Sequence, residues 1–147
     1  MAGKLNLLKL SVGTEDVGGL LTWQRTVIQR NQAAGFGPTV THTTRMWPRR
    51  EAELLDGGSI YWVIKGVVLC RQPLLGLEER IGADGIRRCA VVLDPQMRRT
   101  RPQPRRAFQG WRYLDGADAP SDLAPGESGQ PDLPPALQTA LAEIGLC

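Results

Sequence analysis

Ser59-Ile60-Tyr61-Trp62-Val63-Ile64-Lys65-Gly66-Val67-Val68-Leu69-Cys70 is the strongest strand signal in the chain. β-Branched and aromatic side chains fill it, a composition that suits a pleated, half-buried surface. The run is long enough for two strands meeting at Gly66, or for one strand bent there. On a strand, Tyr61, Val63 and Lys65 share one face, and Trp62 and Ile64 share the other.

Working back from this run, Asp56-Gly57-Gly58 is a tight turn, and Arg49 to Leu55 fits one helical turn. Thr39 to Trp47 is rich in Thr with Val40 and reads as a strand stopped by Pro48. Before it, Val17, Leu20, Leu21, Gln24, Val27 and Ile28 recur at helical spacing, which predicts a helix from about Glu15 to Ala34. Thr14 is its expected N-cap, and Glu15 and Asp16 suit the positive helix end. Gly18 and Gly19 weaken the start by roughly 1 kcal/mol each relative to Ala. Gly35-Phe36-Gly37-Pro38 ends the helix. Leu5 to Val12 (LNLLKLSV), an apolar run interrupted by Lys9, reads as the first strand.

Working forward, Gln72-Pro73 marks the end of the central run, and Leu74 to Ile81 is a short strand. Gly82-Ala83-Asp84-Gly85 is a hairpin signal. Ile86 to Asp94 is a buried strand. Gln96 to Arg106 reads as an Arg/Pro-rich loop or irregular edge, because its prolines cannot donate ladder hydrogen bonds. Ala107 to Leu114 is a last strand. Gly116 to Gln130 has linker composition, and Pro134-Pro135 opens a final helix with Leu137, Leu141 and Ile144 on one stripe. Strands and helices do not alternate strictly. The expected fold is α+β: a small, mostly antiparallel β-barrel with an N-terminal helix after strand 1 and a C-terminal helix. The expected organisation is a barrel domain over 1–115, a Pro/Gly-rich linker over 116–131, and a helix over 132–147 packed on or near the barrel.

The 147 residues are 41% apolar and 22% charged, ordinary values for one globular domain. No run of about 18 apolar residues is present, and the N-terminus lacks a signal-peptide pattern, so a cytoplasmic, non-membrane protein is expected. Cys70, Cys89 and Cys147 are an odd set without CxxC spacing, neither a disulfide framework nor a zinc site. Cys70 and Cys89 sit in apolar runs and read as small core residues. The net charge of +3 hides a segregation. Arg45 to Arg112 holds fourteen Lys/Arg against seven Asp/Glu, whereas Tyr113 to the end holds six acids and no base. Such asymmetry points to an acidic partner for the middle, or to an acidic tail that folds back over it. Thirteen of the fourteen bases are Arg, which grips phosphate or carboxylate in two-pronged fashion and stacks on rings.

Four segments together carry a resemblance: Thr44 to Arg50 (TRMWPRR), Glu53 to Gly66, Gly85 to Ala90 (GIRRCA) and Phe108 to Leu114 (FQGWRYL). They resemble a family of small alphaproteobacterial proteins described only as a domain of unknown function, over about residues 4 to 115. A weaker resemblance is to PUA-like barrels of the ASCH and EVE type. It rests on Leu7 to Ser11 followed by Thr14-Glu15-Asp16, and on Thr41 to Arg45 followed by Gly57-Gly58 before Ser59. The ASCH pattern Gly-x-Lys-x-x-Glu-x-Arg is not matched ahead of Arg45, which argues against ASCH-type nuclease or hydrolase chemistry. The PUA-like resemblance implies a pocket for RNA or a modified base.

Two segments concentrate recognition chemistry: Thr41 to Arg50, with the only histidine, and Phe108 to Leu114. They are expected to face one basic, aromatic cleft. The candidate ligand-binding residues are Thr44, Arg45, Trp47, Arg49, Arg50, Lys65, Gln109, Trp111, Arg112 and Tyr113. Arg45 and Trp47 would share a side of a strand, an arrangement that holds a phosphate while the ring stacks on a base. Gln109, Trp111 and Tyr113 would share another, offering an amide and two rings. Arg98, Arg99, Arg101, Arg105 and Arg106 suit sequence-independent phosphate contacts, or a solvated loop. His42 has no cluster of possible metal ligands nearby and reads as a strand residue with an ordinary hydrogen bond. No GxSxG, HExxH, phosphate-cradling or dinucleotide motif is present, so no catalytic residue, metal or cofactor is assigned. The first expectation is therefore a nucleic-acid-binding module, with RNA ahead of DNA as partner. The alternatives are a small enzyme acting on a nucleotide-derived or other anionic molecule, and an interaction module with an acidic partner.

Overall fold

The computed structural model describes residues 4–106, 108 and 110–123. The expected helix over 132–147, half of the expected linker, Gln109 and Cys147 lie outside the described residues.

The Ser59–Cys70 run is two strands. β3 (Ser59–Ile64) and β4 (Val67–Ile81) form a hairpin whose two-residue turn, Lys65-Gly66, has positive φ at both positions, 51° and 80°. Both values match the mirror-image turn that suits the strands' twist. β4 does not stop at Pro73. It runs on to Ile81 with a register shift between Leu74 and Gly76, where its pairing passes from β3 to β5 (Arg87–Leu93). Pro73 is tolerated because it sits at this irregularity, and its carbonyl accepts from Asp94 N at 2.9 Å. β6 (Arg98–Pro104) then continues antiparallel beside Val67 to Arg71. The expected Arg/Pro loop is thus a strand. The other side of β6 is met by a short return segment: Arg101 N donates to Ser121 O, and Leu123 N donates to Arg99 O.

β1 (Leu5–Leu10) lies between β3, which it pairs in parallel, and β7 (Trp111–Asp115), which it pairs antiparallel. β2 (Val40–Thr44) pairs with β5. The main path is β2-β5-β4-β3-β1-β7. The sheet is open: its end strands β2 and β7 do not pair, so the expected closed barrel is not formed. The α+β class and the mostly antiparallel pairing hold.

α1 (Val17–Ala33) follows β1 as expected. Its N-cap is Asp16 rather than Thr14: Asp16 Oδ1 accepts from Gly19 N at 2.7 Å, while Thr14 Oγ1 is engaged with Ser11. The short α2 (Glu51–Leu55) precedes β3. Gly58, after α2, allows a close backbone approach, since a Cβ there would lie 2.3 Å from both Leu5 O and Leu54 O.

Alternation along β3 sorts the core into two layers. Ile60, Trp62 and Ile64 join Leu7, Val17, Leu20, Leu54, Cys70 and Leu93 in the main core beneath the helices. Tyr61 and Val63 join Leu8, Val68 and Leu114 on the opposite face. Cys70 and Cys89 are fully buried, and burial pushes their thiols up to about 12 and about 11, as expected of inert core residues. Among the described residues no helix is long and apolar enough to cross a membrane.

Candidate functional site

The two segments singled out in the sequence do meet. β2 ends at Thr44, and the following turn carries Arg45 to Arg50 against β7. Tyr113 Oη accepts from Arg49 N at 2.9 Å and from Arg50 N at 3.1 Å, and Trp111 Nε1 donates to Met46 O at 3.2 Å. The Trp111 and Tyr113 rings pack edge to face, 4.9 Å between centroids. Arg50 lies over Tyr113, and Arg87 lies over Trp47 at 4.7 Å from the ring centroid.

Much of this chemistry is already engaged. Trp47, Trp111 and Tyr113 pack on the main core, and Trp47 Nε1 donates to Glu51 Oε1. Arg50 is paired with Glu53, and Arg87 with Glu79. Arg45 and Arg49 are exposed and form no ion pair among the described residues. Because Arg45 lies beyond the end of β2, strand alternation does not set it beside Trp47. Lys65 stands apart at the hairpin tip, paired with Glu15. Arg112 faces away from Trp111 and Tyr113 and lies over Phe108. Thr44 pairs with Cys89 at the end of β2.

A concave feature lies elsewhere on the same face of the sheet. It is a cleft of about 600 Å³ between the C-terminal end of β1, α1 and β2, floored by Trp62. Lys9 sits in register with Trp62 of β3 on one side and with Trp111 of β7 on the other. Paired positions present side chains to one face, so the aminoalkyl chain of Lys9 is flanked by two indoles. Lys9 Nζ donates only to Leu10 O, at 3.3 Å, and has no carboxylate partner among the described residues. Partial burial lowers its pKa.

His42 lines the same cleft from β2. Its ring meets Trp62 edge to face, with centroids 5.5 Å apart and planes at 89°. The hydrogen bond expected of it is absent: Nε2 is shielded from solvent and has no partner. Burial, reinforced by the charge of Lys9, pushes the imidazole down to about 4, so it is neutral at pH 7. Trp62 is held from below. Its Nε1 donates to Gln72 Oε1 at 2.9 Å, and Gln72 exchanges two hydrogen bonds with Gln24 of α1 at 2.7 and 2.9 Å. Gln72 Nε2 also donates to Asp94 O. Trp23 stands at the rim, about half exposed.

Sequence reasoning passed over Lys9 as a site residue and gave His42 an ordinary role. One signal was present: a lone Lys interrupting an apolar strand. Its counterpart was not readable, because Lys9, His42 and Trp62 come from three strands with no characteristic spacing. Among the described residues there is no group of three or more His, Cys, Asp or Glu able to hold a metal ion.

The comparisons with known proteins agree with the first resemblance. A family model described as "Protein of unknown function (DUF1489)" matches residues 7–147. The chain belongs to this family. The DUF1489 match includes Lys9, His42 and Trp62, as well as the Arg45–Arg50 turn and β7. No curated protein and no solved structure gives a significant match.

Proposed function

We propose that this protein binds a small anionic molecule in the cleft lined by Lys9, His42 and Trp62. The observation that carries the reading is a partly buried ammonium, without a carboxylate partner among the described residues, in one concave site. A charge taken partly out of water is stabilised by an opposite charge, so an anion that fits the cleft and meets Lys9 is favoured. The size and the largely apolar lining suit a small molecule.

The test is a ¹H–¹⁵N NMR titration of the full chain with a panel of carboxylates, monophosphates and nucleotides. Shifts centred on Lys9, Ser11, Thr26 and His42, lost in Lys9→Gln, are the expected result. Shifts confined to other surfaces, or none with any probe, would overturn the reading.

Nucleic acid remains a second reading, favoured by exposed Arg45 and Arg49 in the turn beside Trp47. The pairing of Arg50, Arg71, Arg80, Arg87 and Arg88 with carboxylates reduces what this surface offers to phosphate. If this reading holds, RNA binds in a salt-sensitive manner and Arg45→Ala/Arg49→Ala weakens it. An RNA titration unaffected by the double substitution removes it.

A further inference from the structure

Resting on the reading of the cleft as the binding site, we infer that its occupant is a monocarboxylate with a flat, apolar body. The carboxylate meets the Lys9 ammonium, and the body lies along the apolar wall against the half-exposed Trp23 at the rim.

Charge decides the head group. Only Lys9 and Glu15 among the residues lining the cleft are charged. Glu15 is already paired with Lys65 and is largely exposed. His42 is neutral and adds no positive charge. One ammonium therefore faces the ligand. A phosphate carrying two or more charges is normally met by Arg forks, several cations or a cradle of backbone N–H groups. No arginine lines this cleft. At the α1 N-terminus beside it, Asp16 Oδ1 takes Gly19 N, and the Asp16 carboxylate set there opposes a multiply charged anion. A single carboxylate is matched by one ammonium, and a polyphosphate is repelled by Glu15 and Asp16.

Shape decides the body. The Trp62 indole, fixed by Gln72 and edged by His42, is almost wholly buried and backs the cleft, and the half-exposed Trp23 indole at the rim is the flat surface a ligand meets. Leu10, Leu20 and Val12 add apolar wall. Such a slot favours a planar ring.

The experiment uses tryptophan fluorescence of the full chain with 2-naphthoate, its neutral counterpart 2-naphthamide, and ATP. The expected result is saturable binding of 2-naphthoate, about tenfold weaker binding of 2-naphthamide, and loss of that discrimination in Lys9→Gln. ATP leaves the cleft unoccupied, read as an unchanged 2-naphthoate affinity in its presence. If ATP competes with Lys9-dependent binding, or if 2-naphthamide binds as well as 2-naphthoate, the carboxylate assignment is overturned. The NMR panel separates the two failures. Lys9-dependent shifts with phosphates alone refute the carboxylate while leaving an anion-binding cleft, and no shifts with any anion refute both.

Discussion

At the scale of the residue, His42 joins stability to pH. Its imidazole has an ordinary pKa of 6.5 when the chain is unfolded and about 4 when folded. Between those values the unfolded chain binds a proton that the folded chain refuses. The contribution is therefore fully present above about pH 6.5 and is lost as pH falls towards 4. The size of the effect is about 3 kcal/mol. Phe at this position keeps a ring against Trp62 and cannot titrate. In urea titrations at pH 7 and pH 4, the wild type is expected to lose about 3 kcal/mol more than His42→Phe. Equal losses would show that His42 is solvated in the folded protein. The same burial explains why the sequence misdirected the reading of this residue. A Thr-His-Thr strand gives no sign that one histidine nitrogen will be buried and left without a partner.

At the scale of the element, local chemistry was legible where the element is local. The short α2 and the Asp84-Gly85 hairpin follow from their own residues, whereas the central run left open whether Gly66 joins two strands or bends one. β4 was not, because Pro73 is a stop signal in isolation and becomes tolerable only where pairing passes from β3 to β5. β6 has the same history: Pro102 and Pro104 speak against a strand, yet β4 supplies a ladder beside them. Two elements carry predictions. In the β3–β4 turn, Lys65 holds φ of 51°, which is strained for a residue with a Cβ. Asn accepts this conformation more readily, and the exposed ion pair with Glu15 contributes little. Lys65→Asn is expected to raise stability by about 0.5–1 kcal/mol, seen as a Tm higher by a few degrees. A lower Tm would mean that the ion pair outweighs the turn. Between β4 and α1, Gln72→Leu strands the Trp62 indole N–H, the Gln24 amide and the Asp94 carbonyl. It is expected to cost roughly 2–4 kcal/mol in chemical denaturation and to alter the near-UV circular dichroism of Trp62. Adding Gln24→Leu removes one of the stranded groups, so the double variant should lose less than the sum of the two single losses.

At the scale of the whole molecule, the gap between barrel and open sheet decides where function can sit. Most strands and the α+β class were legible, β6 and the full length of β4 excepted, but closure depends on long-range register that no local pattern encodes. The sheet does not close, and two different devices sit between its ends. On one side α1 packs across and leaves the Lys9–His42–Trp62 cleft. On the other, the turn after β2 reaches β7 through side chains alone. Tyr113 is the centre of that second closure, tying together residues 63 and 64 positions apart in the chain. Tyr113→Phe keeps the ring against Trp111 and removes only the hydroxyl. Because these hydrogen bonds are solvent-exposed, the expected loss of global stability is small, about 1 kcal/mol or less. The local consequence is larger: the Arg49 and Arg50 amides lose their acceptor, and their hydrogen exchange should accelerate about tenfold or more relative to amides in β3. Protection that is unchanged in the variant would show that α2 and Trp47 alone hold the turn, and that the hydroxyl has no part in joining the two ends of the sheet.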